Sequence, residues 1–69
     1  MRLASGMTMI PVSSRAMRAV GYDGHTLSVE FNNGDIYDHP GVPDSVYESL
    51  MNARSKGSYY NRYIRGRYR

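Results

Sequence analysis

Alternation of apolar and polar residues near the middle of the chain constrains its fold more than any other feature. Leu27, Val29 and Phe31 are separated by single polar residues, the pattern of a strand with one buried face. Asn32-Asn33-Gly34-Asp35 follows, and these residues tolerate the positive φ angles of a tight hairpin turn. The sequence therefore predicts a strand over residues 27–31 that pairs with a second strand, Ile36–His39.

A further strand and a helix are predicted on either side of this hairpin. Met17–Tyr22 reads as a short strand, and Asp23-Gly24 after it is a turn signal. Asp44–Ala53 is predicted to be an amphipathic helix, with Ser45 and Glu48 spaced as a capping box. Its apolar stripe consists of Val46, Tyr47, Leu50 and Met51.

A second, shorter helix is predicted near the C-terminus. Ser55 is placed to cap it, it would run through Tyr59 to Arg65, and Gly66 would stop it. Lys56-Gly57 is read either as part of this segment or as a linking turn. The surrounding residues 55–58, SKGS, are read either as a small anion-binding turn or as a hinge between the helices.

Together these elements predict an α+β fold, a three-stranded antiparallel meander packed by one longer and one short C-terminal helix. At 69 residues the chain is long enough for one small core, without a deep pocket. Residues 1–8 lack a hydrophobic period and are predicted to be a flexible leader, so residues 9–69 form the single domain.

Composition argues against several classes of protein. The absence of cysteine gives no support to a disulfide framework, a thiolate metal site or a cysteine nucleophile. No apolar run suits a signal peptide or a membrane span, so we expect a soluble cytoplasmic protein that does not engage a membrane. Two histidines and scattered acids do not form a metal-ligand pattern, and no nucleophile has a paired base. We therefore predict no enzyme, no metal and no cofactor.

Charge is segregated along the chain. Residues 1–18 carry +3, residues 19–53 carry −6 and residues 54–69 carry +6, which gives the net charge of +3. A segregated basic end indicates a polyanionic partner or an acidic protein surface. The alternative is that the basic end folds back onto the acidic middle.

The basic end also carries most of the candidate binding residues. Cations interleaved with aromatic rings suit a nucleic acid, because the cation neutralises the backbone while the ring stacks on a base. We predict phosphate contacts from Lys56, Arg62, Arg65 and Arg67, with stacking by Tyr59 and Tyr68. Arg62 and Arg65 are three residues apart and are expected to share a helix face. Arg54 and Arg69 would add peripheral charge. Tyr60 and Ile64 are expected to face the sheet, and whether Tyr63 joins them is left open.

Tyr37 and His39 form a possible second surface. They alternate with Ile36 and Asp38 and so share one sheet face. If Ile36 joins the core, Tyr37 and His39 point outward as a stacking platform of the kind that sheet-type RNA binders use. The opposite register buries Tyr37.

The segments MIPVSS, RAVGY, VEF, GVPDSVYESLMNA and SKGSYYNRYIRGRY resemble the KTSC domain. This family is named for its occurrence at the C-terminus of some lysyl-tRNA synthetases, and it also occurs as a stand-alone small protein. The tyrosine-x-tyrosine motif of the family falls on Tyr37-Asp38-His39, where histidine replaces the second ring. The function of the family is not established; its attachment to a tRNA-charging enzyme implies RNA binding.

Three hypotheses follow. The leading one is a binding module for RNA, or less specifically for single-stranded nucleic acid. The alternative is a bacterial or phage-encoded protein-interaction adaptor or regulator that binds an acidic surface of the transcription or translation machinery. A third is a homo-oligomer formed through an open sheet face or edge strand, although we expect a monomer.

Overall fold

The computed structural model describes residues 8–68. The predicted leader, residues 1–8, lies outside the described residues except for Thr8. The elements in chain order are the strands β1 (Met9–Pro11), β2 (Met17–Tyr22), β3 (Leu27–Phe31) and β4 (Ile36–His39), then the helices α1 (Asp44–Asn52) and α2 (Lys56–Tyr59), and a π-helical segment (Tyr60–Ile64) that continues α2.

The strands form one antiparallel sheet in the order β1-β2-β3-β4. The α+β class and the meander of β2, β3 and β4 are as predicted, but the sheet has four strands and not three. The added strand β1 places Ile10 opposite Val20 on β2. It is three residues long and includes Pro11, which removes one backbone donor, so it suits an edge and gives no periodic signal in the sequence.

Asparagine and glycine set the hairpin turn between β3 and β4. Gly34 has a φ of +97°, a conformation that side chains disfavour. The side-chain oxygen Oδ1 of Asn33 accepts a hydrogen bond from the backbone N–H of Asp35 at 3.0 Å. The turn fixes the register in which Val29 lies opposite Tyr37 and Leu27 lies opposite His39.

Helix α1 begins two residues earlier than a capping box of Ser45 and Glu48 requires. Pro43, in an extended conformation, occupies the N-cap position, and no side chain caps the helix there. The carbonyl of Pro43 accepts hydrogen bonds from the N–H groups of Val46 and Tyr47 at 3.0 and 3.2 Å. Ser45 is therefore already inside the first turn, and the predicted capping box of Ser45 and Glu48 is wrong.

A tyrosine of the sheet holds the start of α1. The Tyr22 ring stacks on Tyr47 with ring centres 4.5 Å apart, and its hydroxyl lies 2.9 Å from Oδ1 of Asp44. Burial raises the pKa of Tyr22 to about 12, and the hydrogen bond and negative charge of Asp44 act in the same direction.

The core lies between the sheet and the helical elements. Both helices and the π-helical segment cover the face that carries Val20, Leu27 and Val29, so their apolar side chains meet there. The buried apolar cluster consists of Met17, Val20, Leu27, Val29, Val42, Leu50, Tyr60 and Ile64.

The other sheet face carries an ion pair. The Arg18 guanidinium lies 3.6 Å from the Glu30 carboxylate, and more than half of the Arg18 side chain is exposed. Glu30 follows the core residue Val29 on β3 and points to the opposite face, so its partner Arg18 lies on the side of the sheet away from the helical segments.

Candidate nucleic-acid interface

The basic end of the chain is a folded helical segment. Ser55 caps it as predicted: its Oγ accepts a hydrogen bond from the N–H of Ser58 at 3.4 Å. Lys56 and Gly57 are the first helical residues, so the alternative of a linking turn is wrong. Gly66, at a φ of +78°, follows the segment, as expected of a helix stop.

Tyr60 and Ile64 anchor this segment in the core, as predicted. Tyr60 is 4% exposed and Ile64 is fully buried. Burial raises the pKa of Tyr60 above its ordinary value; the nearby charge of Arg65 acts in the opposite direction and Tyr37 in the same one. The N–H of Arg65 donates to the carbonyl of Tyr60 at 2.8 Å, the i→i+5 bond of a π-helix.

This widened turn displays three consecutive exposed residues, Asn61, Arg62 and Tyr63, between the two anchors. Tyr63 is 44% exposed, and its ring packs on the half-buried Tyr59 with ring centres 4.7 Å apart. The sequence left open whether Tyr63 faces the sheet, and in the structure it does not join the core. Tyr63 was not a predicted binding residue, because an α-helical period places it nearer the buried side.

We name the surface around these rings the tyrosine-pair surface. It contains predicted binding residues Tyr59 and Arg62 and brings them beside Arg54, which the sequence placed at the periphery. Its lining residues are Ala53, Arg54, Ser55, Ser58, Tyr59, Asn61, Arg62 and Tyr63. None of these carries a negative charge.

Lys56 lies on a different side of the segment. Its Nζ donates a hydrogen bond to the carbonyl of Ala53 at 3.2 Å. It faces a cleft formed with the loop between β1 and β2, which we name the serine cleft. The cleft is lined by Ser13, Ser14, Arg15, Ala16, Arg54, Ser55, Lys56, Gly57, Ser58 and Asn61.

Arg65 and Tyr68 lie on a third side, along a groove beside β4 that also includes Tyr37 and His39. Nη1 of Arg65 donates to Oδ1 of Asn61 at 3.4 Å. Because Arg65 lines this β4 groove while Arg62 lines the tyrosine-pair surface, the two arginines do not share a face as expected. The i→i+5 turn between them alters the spacing that an α-helix would give.

Tyr37 and His39 lie on the core face of the sheet, which is the second of the two predicted registers. The burial of Tyr37 expected from that register is wrong: His39 is 7% exposed, whereas Tyr37 is 51% exposed. The reason is that the π-helical segment covers the end of β4 that carries His39. Tyr37 packs edge-on against Phe31 with ring centres 5.5 Å apart. Of Tyr37 and His39, only Tyr37 is therefore exposed to solvent.

His39 joins β4 to the C-terminal segment through both ring nitrogens. Nδ1 lies 2.7 Å from the carbonyl oxygen of Tyr68, and Nε2 lies 2.8 Å from the hydroxyl of Tyr60. A carbonyl can only accept, so Nδ1 carries a proton and donates to it; with the ring neutral, Nε2 is then the acceptor for the Tyr60 hydroxyl. This residue positions the site and does not present a stacking face.

The six residues predicted to bind nucleic acid are therefore distributed over several sides of the segment. Tyr59 and Arg62 lie on the tyrosine-pair surface, Lys56 lines the serine cleft, and Arg65 and Tyr68 line the β4 groove. Arg67 is exposed. The sequence analysis missed Tyr63 and Arg15; Arg15 is close to Lys56 only through the tertiary fold.

Residues 8–68 contain neither a metal-ligand cluster nor a membrane-spanning helix. No three histidine, cysteine, aspartate or glutamate side chains there lie together as a metal site requires. No helix in the same range has the length and apolar character needed to cross a bilayer.

Comparison with known proteins identifies the family. A family model described as the KTSC domain matches residues 13–68. The chain belongs to the KTSC family. The crystal structure of a KTSC domain protein from Yersinia pestis is similar to this structure, with a TM-score of 0.88, 32% sequence identity and coverage of 93% of each chain. A protein of Tsukamurella paurometabola is 36% identical over 63 residues, which are 88% of this KTSC chain and 94% of that protein.

The KTSC chain is also similar to part of a protein named lysine–tRNA ligase. It is 46% identical over 44 residues to a lysine–tRNA ligase of Nostoc punctiforme. The match includes 64% of this chain but only 8% of the ligase. The similarity thus concerns a small part of that enzyme.

Proposed function

We propose that this KTSC domain is a small non-enzymatic module that binds RNA, or less specifically single-stranded nucleic acid, at the tyrosine-pair surface. The observation that carries the proposal is the contact between the exposed Tyr63 ring and the half-buried Tyr59 ring, on a surface that also carries Arg54 and Arg62 and is lined by no acid. Each ring offers a face for a base, and each guanidinium neutralises a phosphate.

The similarity to a segment of lysine–tRNA ligase supports an RNA ligand. A module that accompanies a tRNA-charging enzyme has a tRNA substrate within reach. Because the matched segment is 8% of the ligase, we do not extend the activity of the ligase to this chain.

Binding is tested by fluorescence anisotropy with labelled tRNA and with a DNA oligonucleotide at two salt concentrations. We expect affinity to fall as salt rises, because each phosphate contact releases counterions. Arg62→Gln should lower the slope of log K against log salt by about 1. Arg18→Gln removes the same charge from the opposite sheet face and should leave the slope unchanged. Absence of binding at low salt would refute the proposal.

The stacking half of the interface has its own test. Tyr63→Ala should weaken single-stranded RNA binding by about 1–3 kcal/mol if a base stacks on this ring. Tyr63 is 44% exposed, so its removal should hardly change stability, which a thermal melt would check. Unchanged affinity would assign the interaction to charge alone.

A pull-down from cell lysate, with and without nuclease treatment, separates this proposal from the adaptor hypothesis. A nucleic-acid binder loses its co-purifying partners after nuclease treatment. A protein partner that survives the treatment and binds the purified domain directly would favour the adaptor.

A further inference from the structure

The serine cleft brings together two segments that are about forty residues apart in the sequence. One is the loop Ser13–Ala16 between β1 and β2, and the other is the junction Arg54–Ser58 between α1 and α2. Hydroxyl groups come from Ser13, Ser14, Ser55 and Ser58, and positive charges come from Arg15, Arg54 and Lys56. No aspartate or glutamate lines the cleft.

Hydrogen bonds hold the loop side of this cleft in place. Oγ of Ser14 accepts hydrogen bonds from the N–H groups of Ala16 and Met17 at 3.1 and 3.2 Å. The side-chain amide of Asn32 donates to the carbonyl of Arg15 at 2.6 Å, and the N–H of Asn32 donates to the carbonyl of Ala16 at 3.0 Å. The backbone that carries Arg15 is thus tied to the end of β3.

The two walls pack directly against each other where they meet. A Cβ atom placed on Gly57 would lie 3.2 Å from the Cβ atom of Ala16, so only glycine allows this approach without displacing a neighbour. On the other wall, Ser55 Oγ donates to Ser58 Oγ at 3.0 Å. The cleft is therefore a product of the packed fold and not of side chains meeting by chance on the surface.

Hydroxyl donors and cationic groups without an acid are the recognition chemistry of phosphate. A terminal phosphate monoester carries about −1.5 to −2 charge at pH 7, while a phosphodiester carries −1. Three cations around one cleft therefore complement the monoester better than the diester.

We infer that the serine cleft binds the terminal phosphate of a nucleic-acid strand, with the adjoining bases lying on the tyrosine-pair surface. The two sites are continuous, because Arg54, Ser55, Ser58 and Asn61 line both. The nucleic-acid part of this inference rests on the proposed function. The ring pair beside the cleft favours a nucleotide over a phosphorylated peptide, since a phosphopeptide supplies no base to stack.

The direct test uses two RNA oligonucleotides of identical sequence, one with a 5′-phosphate and one with a 5′-hydroxyl, and a second pair that differs at the 3′ end. We expect the phosphorylated member of one pair to bind about tenfold more tightly, the effect of one added charge-assisted hydrogen bond. Equal affinity within both pairs would overturn the inference while leaving the proposed function intact.

Variants localise the effect. Arg15→Gln should abolish the preference for the phosphorylated strand and leave the affinity for the hydroxyl-ended strand unchanged, because Arg15 does not line the tyrosine-pair surface. Arg18→Gln, three residues away, is the matched control and should keep the preference. A preference retained in Arg15→Gln would overturn the inference. Thermal melts of both variants show whether each is folded.

Amide chemical shifts separate the cleft from the RNA hypothesis. Titration with inorganic phosphate should move the amide signals of the loop Ser13–Ala16 and the junction Arg54–Ser58 together, and chloride at equal ionic strength should not. Shifts at these positions without any RNA binding would refute the proposed function and retain a phosphate site. A phosphoserine peptide that binds as tightly as the phosphorylated RNA would overturn the assignment to a nucleic-acid end.

Discussion

Replacing Tyr60 with phenylalanine removes one hydroxyl from the junction between the sheet and the C-terminal segment. That hydroxyl lies 2.8 Å from Nε2 of His39, and Tyr60 and His39 are 4% and 7% exposed. The variant loses a hydrogen bond and leaves a buried ring nitrogen without its donor, so we expect a cost of about 1–2 kcal/mol. In a domain of this size each kcal/mol lowers Tm by about 4–8 °C.

The assay is urea or thermal unfolding followed by circular dichroism. Tyr63→Phe is the matched control, because it removes the same hydroxyl from an exposed ring of the same segment. It should change the free energy of unfolding by less than about 0.5 kcal/mol.

A double-mutant cycle with His39 makes the test specific. His39→Leu alone should cost about 2–4 kcal/mol, because the Tyr60 hydroxyl and the Tyr68 carbonyl both lose a partner. In that background the Tyr60 hydroxyl has already lost its acceptor, so Tyr60→Phe should cost almost nothing further. If Tyr60→Phe costs the same with and without His39, the reasoning is refuted.

Three further predictions concern stability. The pKa of Tyr22 is raised to about 12 and that of Tyr60 is also raised, while tyrosines in the unfolded chain ionise near 10. The unfolded chain therefore loses these protons at lower pH than the folded one, so the free energy of unfolding should be constant below pH 10 and fall above it. Urea unfolding measured from pH 9 to 12 checks this, and a flat profile would contradict it. Leu50→Ala removes a fully buried side chain and should cost about 2–5 kcal/mol in urea unfolding, whereas a value below 1 would contradict the packing. Ser55→Ala removes the cap bond to Ser58 and should cost about 0.5–1 kcal/mol, compared with Ser45→Ala as an uncapped control.

The strands β2, β3 and β4 were predicted with the bounds that the structure has. The sequence signals that predict these strands are local: apolar and polar residues alternate along them, and Asp23-Gly24 and Asn33-Gly34 mark the turns between them. The edge strand β1 has no such local signal. Its three residues become a strand only because β2 offers a partner, with Met9 opposite Gly21.

The candidate site was only partly predictable for two physical reasons. A helical period identified the anchors Tyr60 and Ile64, but it could not reveal the i→i+5 bond that turns Tyr63 outward. Arg15 was not predicted for another reason. Its loop packs against Gly57, more than forty residues later in the chain, and no local sequence pattern predicts that contact. The basic residues that the sequence groups together therefore lie on two adjoining sites, the serine cleft and the tyrosine-pair surface, and along the β4 groove.

The anchoring of this segment affects how strongly the proposed surface can bind. Tyr60 and Ile64 hold the π-helical segment in the core, and His39 ties Tyr68 beyond it to β4. A disordered basic tail would lose conformational entropy on binding, and that loss would weaken its affinity. Here the backbone that carries Arg62 and the neighbouring rings is already ordered by folding, so most of its conformational entropy is lost before binding. The hydrogen bonds of His39 therefore contribute both to the stability of the domain and to the preorganisation of the surface that we propose binds RNA.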